Sequence, residues 1–192
     1  AITNRNTLSF QDTGLDVCGQ TYYYRVIVWD TNGLHNLGTN DLAYKTGWGQ
    51  NIISLPFAEG LEGTDARWAL DRPWGITTEA AHSGTHSLTD SPGTNYANSV
   101  DASAYLNVNL GGATRPMLSF WQRYGLESGQ DYGFVEVSSD GGASWTRWFA
   151  VTGQSGTNWS NVQIDLGNYA GTQALIRFRL KTDGQNPYDG WY

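Results

Sequence analysis

The stretch ALIRFRLK, residues 174–181, indicates the fold class because its side chains alternate residue by residue between two kinds. One face would carry only apolar side chains: Ala174, Ile176, Phe178 and Leu180. The opposite face would carry Leu175 and three basic residues. A period of two residues is that of a β-strand, and one apolar face is typical of a half-buried antiparallel strand.

The stretch DYGFVEVSSDGGASWTRWFAV, residues 131–151, predicts a β-hairpin. Two alternating runs, 132–138 and 144–151, flank an Asp-Gly-Gly turn at 140–142. TYYYRVIVWD (21–30) is another alternating run, and further strands are expected near 53–57, 104–110, 117–124 and 161–166. Helical periodicity is nearly absent, so the sequence predicts an all-β chain.

Composition excludes several classes of partner. Eighteen acidic residues outnumber eleven basic ones among 192, which gives a net charge of −7. Without a basic stripe for phosphates, neither nucleic acid nor an anionic membrane surface is an expected partner. No apolar run approaches the roughly 18 residues of a membrane span. Few charges, nine Trp and 24 Gly resemble a secreted bacterial protein, so an extracellular location is predicted.

Cysteine and histidine chemistry is not expected to carry function. Cys18 is the only cysteine, so it forms no intramolecular disulfide or zinc site. His82 and His86 lie four apart in HSGTHSLTDSPGTNY (82–96), but the surrounding Ser, Gly, Pro and Asn residues make turns and no helix. A structural or solvated role is predicted for both histidines, and Asp90 is the residue of this stretch expected to carry chemistry.

Residues 1–46 form the first predicted domain. The segment LSFQDTGLDVCGQTYYYRVIVWDTNG resembles the C-terminal half of a fibronectin type III module, an Ig-like sandwich. The resemblance implies a tyrosine corner built by Leu15 and Tyr22; a tyrosine simply packed in the core is the alternative. A half-module would expose part of its core, so we expect either a longer polypeptide or a neighbouring chain that completes the sheet.

Residues 47–192 form the second predicted domain, after the boundary segment TGWGQN (46–51). Its landmarks FAEGLEG, HSGTHSLTDSPGTNYAN, LSFWQRYGLESGQDYGFVEVSSDGGASW and YDGWY, in this order, resemble a MAM-like jelly-roll β-sandwich. Such domains are appended to secreted bacterial peptidases, notably immune-inhibitor-A-type metallopeptidases. In that family GWY leads into a further strand, so the resemblance implies that the last strand is truncated here.

Strand reversal places acidic residues at one end of the predicted sandwich. If consecutive strands run antiparallel, the loops that follow alternate strands meet at the same end. That end would gather Asp90, Asp101, Glu127, Asp131, Asp183 and Asp189. Clustered carboxylates repel one another unless a cation neutralises them, and Ca²⁺ takes six to eight oxygen ligands in flexible geometry. Structural calcium is also what the resemblance implies.

We therefore predict a structural Ca²⁺ site. Its candidate ligands, in order of preference, are Asp90, Asp183, Asp189, Glu127 and Asp131. The alternative is that these acids solvate loops or cap turns. A glycosidase pair made by Glu127 and Asp131 is not favoured, because no groove-forming insertion accompanies them. No nucleophile elbow, zinc-protease motif or phosphate-binding loop is present either, so this chain is not expected to be an enzyme.

The aromatic residues are expected to fill the core, with a few exceptions that could bind ligand. Trp148 lies on the face of its predicted strand opposite to Phe149, and one of the two must point away from the core. The candidate ligand-binding residues are Trp74, Trp148, Trp159 and Tyr188. Stacking of such rings on sugars would make the domain a carbohydrate-binding module.

Together these patterns predict a non-catalytic, calcium-stabilised accessory or adhesion domain of a secreted or cell-surface bacterial protein. It would be attached to a peptidase or other hydrolase and would contact protein or glycan. One alternative is a subunit of an extracellular filament or surface layer built by strand sharing. The other alternative is a carbohydrate-binding module proper.

Overall fold

The computed structural model describes the side chains of residues 52–63 and 67–192 and, before them, the backbone of four short strands. The chain divides into two units, Ala1–Thr46 and Gly47–Tyr192. The first unit contains β1 (Thr21–Tyr24), β2 (Ile27–Trp29), β3 (His35–Leu37) and β4 (Leu42–Lys45). β1 pairs with β4 and β2 with β3, both antiparallel. Leu15 and the side chain of Tyr22 lie outside the described residues, so the tyrosine corner stays a prediction.

The second unit is all-β, as the alternating patterns predict. Its strands are β5 (Ile53–Ser54), β6 (Ala69–Leu70), β7 (Gly75–Thr77), β8 (Ser87–Thr89), β9 (Asp101–Asn109), β10 (Met117–Gln122), β11 (Tyr124–Gly125), β12 (Tyr132–Ser138), β13 (Thr146–Val151), β14 (Ser160–Asp165), β15 (Gln173–Lys181) and β16 (Gly190–Trp191). In this described part of the chain the helical content is one 3₁₀ turn, Gly167–Tyr169. No described helix is long and apolar enough to cross a membrane.

One layer of the sandwich is a six-stranded sheet. Its order is β13-β12-β15-β9-β5, and β6 also pairs with β9. The predicted hairpin is present as β12 and β13, and ALIRFRLK lies within β15. All but one of these pairings are antiparallel; β5 runs parallel to β9 over two residue pairs. The order places the long strands β9, β12 and β15 at the centre of the sheet.

The facing layer is made of three strand pairs: β10 with β14, β11 with β16, and β7 with β8. The two layers meet through aromatic rings, since the Phe120 ring on β10 lies 5.0 Å from the Phe178 ring on β15, edge to face. Buried Val135, Leu180 and Trp191 belong to the same core. Aromatic and branched side chains that interdigitate between two sheets form the core of a β-sandwich.

The outer face of the six-stranded sheet is less polar than the alternation in β15 predicts. Leu175 is only 4% exposed although it lies on the basic face of the strand. On the same face, Arg177 donates to the buried Glu136 carboxylate at 2.7 Å and its guanidinium lies 4.0 Å from the Trp145 ring. Long side chains that lie flat on the sheet explain why both faces of this strand are buried.

Candidate functional site

Three of the five predicted metal ligands lie together at one end of the sandwich. The acidic cluster consists of Glu127, Asp131 and Asp183, each with a carboxylate oxygen within 4.8 Å of the others. Asp131 immediately precedes β12 and Asp183 follows β15. Because Tyr132 pairs with Lys181 in these antiparallel neighbours, their ends meet at one edge of the sheet. Glu127 is brought near by a turn in which the Asp131 N–H donates to the Glu127 carbonyl at 3.1 Å.

Neutral donors surround the acidic cluster. Asp131 is fully buried, and its carboxylate accepts from the Tyr96 hydroxyl at 2.7 Å and from the Asp183 N–H at 2.7 Å. The Tyr96 hydroxyl also accepts from the Glu127 N–H at 3.1 Å. Burial, followed by the bond to Asp131, raises the pKa of Tyr96, which keeps the hydroxyl protonated as a donor.

One oxygen of the acidic cluster is left without a partner. Glu127 Oε1 accepts from the Asn186 side-chain amide at 2.7 Å, whereas Glu127 Oε2 is buried and accepts no hydrogen bond. None of the ion pairs between described residues involves Glu127, Asp131 or Asp183. A buried carboxylate oxygen without a donor is costly, and a hard cation with oxygen ligands would satisfy it. The residues present therefore fit a Ca²⁺ ion.

Asp90 and Asp189 are not members of the acidic cluster, which corrects their prediction as leading ligands. Asp90 is fully buried beside β16, where its Oδ2 accepts from the Trp191 N–H at 3.0 Å and its Oδ1 has no partner. Desolvation raises the pKa of Asp90 to about 7, with a smaller contribution from the charge of Asp189. Strand reversal predicts which end of the sandwich a loop occupies, but it does not predict where along that end the loop lies.

Asp189 is neutralised by its own neighbours. Arg123 Nη2 donates to Asp189 Oδ2 at 3.0 Å, and the Tyr192 hydroxyl donates to Asp189 Oδ1 at 3.1 Å. The Asp189 carbonyl accepts from the Ser91 hydroxyl at 2.7 Å. Asp101, also expected at this rim, forms an ion pair with Arg179. The acidic residues predicted for this rim thus divide into one cluster of three and separate groups, of which Asp101 and Asp189 are paired with arginines.

An aromatic platform lies on the facing layer and was not predicted as a whole. It consists of His82, Trp121 and Trp159. The Trp121 indole is 47% exposed, and the His82 imidazole stacks on it with ring centroids 3.9 Å apart and planes at 10°. Trp159 meets His82 edge to face at 5.9 Å. In β10, exposed Met117, Ser119 and Trp121 alternate with half-buried Leu118 and Phe120, so Trp121 lies on the outward face of the strand.

The predicted ligand-binding aromatics divide into core and surface. Trp74 is only 7% exposed and packs edge to face against Trp191 at 6.2 Å, so its prediction as a surface residue is wrong. Trp159 belongs to the aromatic platform. Trp148 is 36% exposed, and its Nε1 donates to the Tyr169 hydroxyl at 3.0 Å. Tyr188 is 36% exposed, and its carbonyl accepts from the Tyr96 N–H at 3.1 Å.

The two histidines of HSGTHSLTDSPGTNY do not form a joint site. His82 stacks on Trp121, whereas His86 Nδ1 lies 2.9 Å from Glu62 Oε2. The Thr85 hydroxyl and the Thr85 and His86 N–H groups also donate to Glu62. The Thr85 side-chain hydrogen bond, followed by that of His86, lowers the pKa of Glu62 to about 2. This group holds the loop before β8 to the turn that contains Glu62.

Comparisons with known proteins give one curated relative and several solved structures. No protein-family profile matches the chain. It is 26% identical over 187 residues to Bacillopeptidase F of Bacillus subtilis (strain 168), which covers 92% of this chain and 13% of that protein. The chain is thus similar to a short segment of a much longer peptidase.

Solved structures that are similar to this chain include carbohydrate-binding modules. TmCBM61 in complex with β-1,4-galactotriose has a TM-score of 0.46 and 16% identity, over 66% of this chain and 85% of that chain. The CBM22-1 xylan-binding domain from Paenibacillus barcinonensis Xyn10C has a TM-score of 0.40 and 17% identity, over 64% of this chain and 86% of that chain.

Proposed function

We propose that this chain is a non-catalytic accessory domain of a secreted or cell-surface bacterial protein, in which the aromatic platform binds glycan. The observation that carries the proposal is the Trp121 indole, exposed over 47% of its surface and held in place by the stacked His82 ring. An exposed aromatic ring in a fixed orientation loses little entropy on binding. Contiguous exposed aromatic surface is typical of binding sites, and the three rings of the aromatic platform lie together.

The surroundings of the aromatic platform suit a sugar. The C–H face of a pyranose is apolar and flat, so it can cover an indole, while its hydroxyls need donors and acceptors at the ring edge. Asn161 lies opposite Trp121 in the pairing of β10 with β14, and its amide lies 3.2 Å from the Ser119 hydroxyl. Gln163 lies opposite Ser119 and is exposed. These side chains supply polar groups next to the ring.

Affinity electrophoresis and tryptophan fluorescence with soluble polysaccharides test the glycan proposal. We would use β-1,4-galactan, xylan and solubilised bacterial cell-wall glycan as probes. Trp121→Ala should weaken binding to the retained polysaccharide at least about fivefold, because truncation of a residue that carries an interface costs more than about 1 kcal/mol. Trp148→Ala is the matched control, since Trp148 is exposed but lies outside the platform. Absence of retention on every probe, or equal loss in both variants, would contradict the proposal.

The acidic cluster would hold a structural Ca²⁺ ion in this proposal. Asp131, Glu127 and Asp183 would supply carboxylate oxygens, and the buried Glu127 Oε2 is the oxygen that otherwise lacks a partner. The ion would neutralise three facing carboxylates and join the start of β12 to the segment after β15. The ion would stabilise the folded domain, which has no disulfide to do so.

Attachment to a peptidase is the context we propose for this domain. The support is the relative among peptidases, of which the chain matches a short segment. A non-catalytic domain beside a catalytic one would hold the enzyme near a cell surface or matrix and raise the local substrate concentration. The test is deletion of the domain from the full-length protein: binding to cell walls should be lost, while cleavage of a soluble peptide should be retained.

A further inference from the structure

The outer face of the six-stranded sheet is basic, although the whole chain has a net charge of −7. The strands of this sheet contain four basic residues and only two acidic ones: Arg147 in β13, Arg177, Arg179 and Lys181 in β15, Asp101 in β9 and Glu136 in β12. Opposed residues of neighbouring strands share a face of the sheet, and Lys181 lies opposite Asp101. This face therefore has an excess of two positive charges.

The acidic groups of this face pair with its arginines and not with Lys181. Glu136 is buried and lies within ion-pair distance of all three guanidiniums, with the shortest contact, 2.6 Å, to Arg177. Asp101 accepts from Arg179 Nε at 2.6 Å. Lys181 is exposed, and none of the ion pairs between described residues involves it. Its ammonium is therefore available to an anion from outside the chain.

A basic hollow of about 330 Å³ lies beside Lys181 on this face, and its walls include Tyr132, Phe134, Arg147 and Asp183. The Tyr132 and Phe134 rings stack with centroids 5.5 Å apart and planes at 5°. The Arg147 guanidinium covers the Phe134 ring at 3.6 Å, which leaves Tyr132 as the more accessible ring. The basic hollow thus combines an aromatic ring in a fixed orientation with cationic groups beside it.

The chemistry of the basic hollow indicates what kind of ligand it fits. The accessible Tyr132 ring suits the apolar face of a pyranose, as Trp121 does in the aromatic platform. Lys181 supplies one unpaired ammonium, whereas Asp183 on the same wall would repel a ligand with many negative charges. The Asp183 carboxylate can instead accept from a sugar hydroxyl. One negative charge per sugar ring, together with hydroxyl groups, matches this arrangement better than a polyphosphate does.

We propose that the basic hollow is a second binding site, which takes a sugar bearing a carboxylate, such as a uronic acid of an acidic polysaccharide. The sugar ring would lie on Tyr132, and its carboxylate would pair with the Lys181 ammonium. These two residues are opposed in the pairing of β12 with β15, so their Cβ atoms are about 4.5–5.5 Å apart, a separation that one uronic acid spans. The site lies on the layer opposite the aromatic platform and does not depend on the function proposed for that platform.

Isothermal titration calorimetry with tetragalacturonic acid tests this proposal, with the methyl ester of the same tetrasaccharide as its uncharged match. The 192-residue chain should bind the acid at least about fivefold more tightly than the ester, which corresponds to about 1 kcal/mol. This preference should shrink as salt is raised from 50 to 500 mM, because exposed charges are screened. EDTA is present throughout, so that no divalent cation bridges the ligand to the acidic cluster.

Two variants assign the preference to Lys181. Lys181→Gln should weaken binding of the acid at least about fivefold, to the affinity of the ester, and should leave binding of the ester unchanged. Arg115→Gln is the matched control, because it removes one positive charge from an exposed residue in the loop before β10, outside the six-stranded sheet. Tyr132→Leu should weaken binding of the acid and the ester alike, because the ring contacts the sugar in both.

Three results would overturn the proposal. Equal affinities for the acid and the ester would show that the carboxylate is not recognised, and equal losses in Lys181→Gln and Arg115→Gln would show that only net charge matters. Displacement of the bound acid by saturating β-1,4-galactan would show that both ligands share one site. Binding of poly(glycerol phosphate) as tight as that of the acid would overturn the assignment of the ligand class, because it would show a site for anions in general.

Discussion

The acidic cluster and the Asp90–Asp189 region both belong to the end of the sandwich that the sequence marks as acidic, yet they compensate charge in different ways. In the cluster, three carboxylates face one another among neutral donors, and Glu127 Oε2 lacks a partner. In the other region, burial raises the pKa of Asp90 to about 7, and Asp189 is paired with Arg123. Asp90 Oδ1 also lacks a partner, so what distinguishes the two regions is the grouping of three carboxylates in the cluster. A count of acidic residues in the sequence does not give that grouping.

The largest expected effect is a fall in stability as pH rises, caused by Asp90. Its pKa is raised to about 7 in the folded chain from 3.8, so the folded state binds the proton more tightly than the unfolded state does. The contribution to stability is fully present below about pH 4 and is lost as pH rises to about 7. A difference of about three between the folded and unfolded pKa of Asp90 changes the free energy of unfolding by roughly 4 kcal/mol at most.

Urea denaturation at pH 5 and pH 8 measures the part of this loss that falls in that interval, roughly 2.7 kcal/mol. Asp90→Asn should remove most of the pH dependence in that interval, because an amide of the same shape carries no charge to bury. Asp189→Asn is the control and should retain it, since Asp189 is exposed. A midpoint that is equal at both pH values in the unaltered chain would show that Asp90 is not buried as described.

The second prediction compares two tyrosines that each donate to a carboxylate. Tyr96→Phe removes the hydroxyl that lies between Asp131 and the Glu127 N–H in the buried cluster. Tyr192→Phe removes the donor to exposed Asp189. A buried hydrogen bond to a charged group contributes about 1.5–3 kcal/mol, so Tyr96→Phe should lower the free energy of unfolding by that amount.

The Tyr192→Phe variant should lose less than about 1 kcal/mol, because water and Arg123 can still solvate Asp189. Urea denaturation at pH 6 measures both losses. The dependence of the free energy of unfolding on urea concentration should have the same slope in both variants and the parent chain. Equal losses in the two variants would mean that the two regions do not differ in burial, contrary to the structure.

The third prediction concerns Ca²⁺ and separates the two regions directly. At about ten times the dissociation constant, the ion should add roughly 1.4 kcal/mol to the free energy of unfolding, which raises the melting temperature by about 3–5 °C. Asp131→Asn should abolish this increase, whereas Asp189→Asn should retain it. Differential scanning calorimetry in EDTA and in millimolar CaCl₂ measures the shift. Equal melting temperatures of the parent chain in EDTA and in CaCl₂ would contradict the calcium proposal.

Local pattern explains what the sequence predicts well. The strands β12, β13 and β15 are predicted by alternation and by a turn motif. Each of these patterns involves only residues that are close in the sequence. Glu127, Asp131 and Asp183 come together because two neighbouring strands end at the same edge, which strand reversal predicts. The parallel pairing of β5 with β9 covers only two residue pairs, which is too short for any pattern in the sequence.

Long-range packing explains what the sequence does not predict. Asp90 is buried beside β16, which comes about a hundred residues later in the chain and whose Trp191 N–H donates to it. Trp121 could not be distinguished from core because Phe120 beside it is also aromatic, so the strand reads as apolar on both faces. Trp74 differs from Trp121 in the opposite direction. Its position in a loop suggests exposure, but its ring packs on Trp191.

The smallest expected effect is that of Arg123, which forms an ion pair with the exposed Asp189. Its guanidinium also lies 4.8 Å from the Tyr192 ring. Arg123→Gln should cost about 0.2–1 kcal/mol, because an exposed ion pair gains little over its hydration, and the cost should shrink as salt is raised from 50 to 500 mM. Urea midpoints at the two salt concentrations measure it. A loss that salt does not reduce would assign the role of Arg123 to packing on Tyr192, since stacking of a guanidinium on a ring is screened far less than an ion pair between exposed groups.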